Sequence, residues 1–135
     1  MVELGKRLQM VIKATIENFT ENELKCKCGC GSFNIDNEFL IRLQAFRYLL
    51  KQGMTPTSCC RCEKHNKAVG GVDTSLHRCY PKPTCAIDFY CQDLQKAYDL
   101  ARNTNLFNEV IWYKNKGFIH LGLDRNQKGN YYVVK

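Results

Sequence analysis

No stretch of this sequence approaches the ~18 consecutive apolar residues that a membrane-spanning helix needs, so membrane insertion by that route is not expected. The opening residues, Met1 to Lys13, also lack the apolar core of about 7–15 residues that an export signal carries, and synthesis in the cytoplasm is expected. Proline is scarce, at 3 of 135 residues, and no internal repeat or low-complexity linker divides the chain. One domain with its own buried core, residues 1–135, is the expectation. Acidic residues are in deficit, 13 Asp and Glu against 20 Lys and Arg, for a formal net charge of +7. That balance favours anionic partners; nucleic acid and anionic cell-wall polymers satisfy it equally well, and so do lysines that merely solvate the surface.

Cysteine, by contrast, is abundant. Nine residues fall into three groups: Cys26, Cys28, Cys30; then Cys59, Cys60, Cys62; then Cys79, Cys85, Cys91. The count is odd, so at least one has no partner within the chain. Without an export signal, thiols or metal thiolates are expected at synthesis rather than lasting disulfides.

Apolar periodicity outlines the elements. Leu4, Leu8, Val11, Ile12 and Ile16 recur at helical spacing and predict an amphipathic helix over about 2–16, an N-terminal extension of residues 1–18. Thr20 with Glu23 three positions later forms a capping box for a short helix, with Phe19 and Leu24 as its staple. A longer helix over about 37–52 starts at Asp36 and is closed by Gly53. Residues 55–60 and 85–90 read as strands, 64–69 as a helical turn and 93–103 as a helix; 110–113 and 118–123 form a hairpin, and 131–134 a last strand. The fold class is α+β, helices packed on a small, mainly antiparallel sheet.

Three residues stand out chemically. His77, Asp88 and His120 offer two imidazoles and a carboxylate from β-rich segments, the inventory of a catalytic zinc site with its fourth position open. An aspartate inside the apolar run Cys85 to Tyr90 costs free energy unless a cation or hydrogen-bond donors meet it. A lone histidine is more often an ordinary imidazole than a ligand, and His65 is left as structural or exposed.

Four blocks in order resemble one family. They are Cys26-Lys27-Cys28-Gly29-Cys30-Gly31; Thr57 to Gly71, with Arg61 and Glu63-Lys64-His65-Asn66 inside it; Ser75-Leu76-His77; and Trp112 to His120. Together they resemble zinc peptidases of the lysostaphin, D-Ala-D-Ala and Sonic-hedgehog superfamily, specifically the D-Ala-D-Ala carboxypeptidase and L-alanyl-D-glutamate endopeptidase branch. The resemblance covers roughly residues 19 to 123. It implies zinc held by His77, Asp88 and His120, a substrate-facing Arg61, and a Ser75 that hydrogen-bonds substrate or the surroundings of Asp88. A phage endolysin-like monomer is then expected, hydrolysing an amide bond of the peptidoglycan stem peptide. It would bind neither nucleic acid nor membrane, and would reach the wall after lysis, through a holin-type pore, or in a particle.

Two features depart from the family pattern. Ten residues separate His77 from Asp88, four more than usual, and the excess is expected to bulge at Pro81-Lys82-Pro83, pinned by Cys79 and Cys85. Relatives also carry an acidic residue three before the last histidine, or an aspartate two after it, where this chain has Gly117 and Gly122. Glu109 and Asp124 remain as candidates for the general base. A zinc-binding wall protein that has lost its base is the alternative. A second alternative takes four thiolates from the first two cysteine groups for a structural zinc in a nucleic-acid-binding module. Against it stands the C-x-C spacing, tighter than a usual zinc knuckle; a disulfide or thiol tie from the first group to Cys62 would staple the two halves of the site.

Overall fold

In a computed structural model of the chain, residues 18–135 are described, so the helix expected over 2–16 lies outside them. Helix α1 (Glu21–Leu24) begins with the expected capping box: the Thr20 side chain accepts from Glu23 N, and Glu23 bonds back to Thr20 N. Helix α2 (Asn37–Leu50) is capped by Asp36, whose carboxylate accepts from Phe39 N at 2.9 Å. It ends earlier than expected, because Lys51 takes the left-handed conformation (φ 56°) that stops the helix before Gly53 is reached. Helix α3 (Glu63–Ala68) follows strand β1 (Thr55–Ser58), and helix α4 (Leu94–Thr104) follows strand β2 (Ala86–Tyr90). Strands β3 (Glu109–Tyr113) and β4 (Phe118–Gly122) form the hairpin, and β5 (Tyr131–Val134) closes the order β1-β2-β4-β3-β5. Three pairings are antiparallel; β5 joins β3 in parallel.

Alternation along the strands separates two chemistries. Ile87, Phe89, Val110, Ile119 and Leu121 are fully buried and share one core cluster with Phe39, Leu43, Phe46 and Ala97. Phe46 meets the rings of Phe89 and Phe107 edge-on at 6.1 and 5.7 Å. Each such side chain contributes about 1.5–3 kcal/mol through burial, enough to hold the sheet rigid. The alternate positions carry Asp88, His120, Glu109 and Gly122, with Asp88 directly opposite His120 and Glu109 directly opposite Gly122. Core packing on one face therefore sets the spacing of the polar groups on the other.

The extra residues between His77 and Asp88 are held by backbone bonds, not by a disulfide. Arg61 N donates to His77 O and Cys79 N to Arg61 O, while Thr84 bonds Asn34 and Asp36 and Cys85 N donates to Leu76 O. Cys79 and Cys85 are both free thiols. What remains to bulge is the stretch around Tyr80, which is 78% exposed.

Candidate metal centre

His77 sits between two anchors. Ser75 Oγ accepts from its backbone N–H at 3.2 Å, and its ring Nδ1 donates to the carbonyl of Cys59 at 2.8 Å. Its Nε2 faces Asp88 Oδ1, 3.2 Å away. From the neighbouring strand His120 brings Nδ1 to 2.8 Å from the same oxygen. The three ligand atoms lie within 4.8 Å of one another, close enough for one cation to touch all three. His77 and Asp88 are buried and His120 is nearly so, which leaves the cluster only a small opening to solvent.

The outer atom of each ligand is also held. His120 Nε2 lies 2.5 Å from Glu109 Oε1, and Asp88 Oδ2 lies 3.5 Å from Arg61 Nη2. Arg61 is in turn fixed by Ser58 Oγ at 2.9 Å and Asn66 Oδ1 at 3.3 Å. Burial pushes the Asp88 carboxyl up, but hydrogen bonds from His120 and His77 outweigh it and hold the group well below the usual carboxylate range. Burial likewise opposes the charged His120 ring, yet Asp88 and Glu109 overcome it and push the imidazole up to about 9. Two carboxylates that favour a proton here also favour a divalent cation. Imidazole nitrogens and a carboxylate suit zinc, and a carbonyl or carboxylate behind each ring is the usual support for such ligands.

The sequence matches the family pattern described as Peptidase M15 over residues 17–122, most of the chain. The chain belongs to the peptidase M15 family. No curated protein matches it. Peptidases M15 are zinc-dependent metallopeptidases of the D-Ala-D-Ala carboxypeptidase superfamily, and their α+β fold agrees with the helices and mixed five-stranded sheet seen here. No helix among the described residues is long and apolar enough to cross a membrane.

Five of the seven residues expected in the M15 site come together: Arg61, His77, Asp88, Glu109 and His120. Ser75 turns its hydroxyl to the backbone of His77, and Asp124 Oδ1 accepts from Asn126 N in the turn after β4. Both line a separate cavity of about 640 Å³, walled also by Arg78, Arg125 and the Tyr80–Pro83 bulge. Sequence reasoning missed Asn66, a buried residue that orients Arg61, although it stood inside the recognised block. It also missed Ser58 and the Cys59 carbonyl, because a backbone acceptor leaves no trace in residue identity.

Asn66 explains the second glycine of the Gly70-Gly71 pair. A Cβ at Gly71 would stand 2.1 Å from Asn66 Oδ1, and Asn66 is committed on both sides, to Arg61 and to Val72 O. Gly71→Ala is expected to displace Asn66 and free Arg61; with Arg61 as the substrate anchor that the family resemblance implies, KM for a peptide should rise about tenfold, the worth of roughly one charge-assisted hydrogen bond, with zinc content unchanged. Steady-state kinetics beside metal analysis checks this; an unaltered KM would detach Asn66 from substrate binding.

Proposed function

We propose that this M15 member is a zinc-dependent peptidase that hydrolyses an amide bond in the stem peptide of peptidoglycan, acting as a single-domain, endolysin-like monomer. The observation that carries the reading is the ligand set itself: His77 Nε2, Asp88 Oδ1 and His120 Nδ1 converge, each with its outer atom held by a partner. Bound zinc would supply Lewis acidity, polarising the scissile carbonyl and lowering the pKa of the attacking water. His77, Asp88 and His120 would hold it, and the burial around them limits the access of competing water.

Arg61 is the proposed anchor for substrate. Ser58 and Asn66 occupy its Nε and Nη1, which leaves Nη2 directed at the site beside Asp88. A guanidinium so placed can bind a peptide carboxylate or the charge that develops on the carbonyl oxygen. Glu109 is the proposed proton acceptor, through the carboxylate oxygen that His120 does not hold; Asp124 is engaged in its own turn. Ser75, on the wall of the neighbouring cavity, is proposed to contact substrate that extends beyond the metal.

Purified muropeptides incubated with zinc-loaded protein test the reading. New amino termini should form, and a chelator should suppress them. An unchanged muropeptide profile after long incubation would favour a wall-binding protein that keeps the metal and has lost hydrolysis.

A further inference from the structure

A second group of metal-ligating side chains lies outside the peptidase centre. The Sγ atoms of Cys26, Cys28, Cys30 and Cys62 all lie within 4.8 Å of one another. Cys28 Sγ is 3.5 Å from Cys26 Sγ and 3.6 Å from Cys62 Sγ. Four sulfurs bound tetrahedrally at the usual Zn–S length of about 2.3 Å stand about 3.8 Å apart, so a small contraction or expansion of this cluster reaches that geometry.

Local backbone shape explains how so tight a C-x-C-x-C spacing can converge. Gly29 and Gly31 both take left-handed conformations, φ 89° and 78°, and curl the loop so that three cysteines meet on one side. Cys26 N donates to Ser32 O and closes the curl. Backbone amides are aimed at three of the sulfurs: Cys62 N at Cys26 Sγ (3.4 Å), His65 N at Cys62 Sγ (3.3 Å) and Ser32 N at Cys30 Sγ (3.4 Å). Such donors stabilise thiolates, the form in which cysteine binds metal.

We propose that Cys26, Cys28, Cys30 and Cys62 form a structural site for a thiophilic divalent cation, zinc above all. Four protein sulfurs leave no open position, which marks a bracing site rather than a catalytic one. Among the described residues no carboxylate or imidazole joins the set, and soft sulfur ligands select zinc over magnesium or calcium. Each thiol gives its proton to solvent as it binds. The brace has a target: Cys62 adjoins Arg61, and Cys60 N bonds Leu24 O, so the metal would clamp the loop after α1 to the strip that carries Arg61 and the Cys59 carbonyl. The tetrathiolate therefore belongs to the peptidase fold and needs no separate nucleic-acid-binding module.

Metal analysis of the full chain, purified under reducing conditions without chelator, should find two zinc ions per chain. The His77→Ala/His120→Ala variant should keep one, and Cys28→Ser/Cys62→Ser should lose that one. Cobalt substituted into the wild type and into the histidine variant should show intense sulfur-to-cobalt charge-transfer bands. Absence of those bands in the wild type overturns the proposal even if the variants fail to fold, as does a mass showing that two of these four cysteines have paired as a disulfide. A wild type that holds only the cysteine-bound metal would instead count against the peptidase reading and leave this one standing.

Discussion

Asp88→Asn should lower zinc content by one ion per chain and bring hydrolysis down to background. Asp88 Oδ1 faces both imidazoles, at 3.2 and 2.8 Å, while Oδ2 faces Arg61, so one carboxylate ties together every proposed ligand and the proposed substrate anchor. Asparagine keeps the shape and removes the negative charge; two neutral histidines alone do not complete a three-ligand zinc site. Zinc analysis after gel filtration and turnover on muropeptides read the two consequences separately. A variant that retains the ion and full turnover would place the metal elsewhere.

Glu109→Gln should act on two quantities at once. As partner to His120 Nε2 at 2.5 Å, the carboxylate raises the basicity of the ring, and its loss should weaken zinc affinity about 10–100-fold. As the proposed proton acceptor, its loss should also cost about 10²–10⁴-fold in turnover at saturating zinc. Turnover that recovers fully once zinc saturates would assign Glu109 to positioning alone. Strand register suggests a rescue. Glu109 lies directly opposite Gly122, where relatives have an aspartate two residues after the last histidine, and a Cβ at Gly122 would come within 3.1 Å of Glu109 Oε1. The carboxylate reaches the ring from the adjacent strand instead of from its own. Glu109→Ala/Gly122→Asp should therefore recover part of the zinc affinity that Glu109→Ala loses; no recovery would mean that the two positions are not equivalent.

The candidate metal ligands were legible because their residue types are chemically narrow and because Asp88 interrupts an apolar strand, a cost that calls for a cation or donors. The helices α1, α2 and α4 and the β3–β4 hairpin were legible from capping residues and apolar periodicity, which act over a few neighbouring residues. The parallel seating of β5 on β3 was not, since strand pairing across many residues depends on what else packs there.

By itself the sequence determined the peptidase M15 membership, the α+β class and the inventory of histidine, carboxylate and thiol groups. Only the tertiary structure decided which of those groups meet. It turned Glu109 onto His120 across the hairpin, left Asp124 in its own turn, and gathered Cys62 with three cysteines more than thirty positions away. The reason is physical: periodicity and capping are local, whereas the distance between two side chains on different strands is set by register and by the buried face that holds the sheet in place.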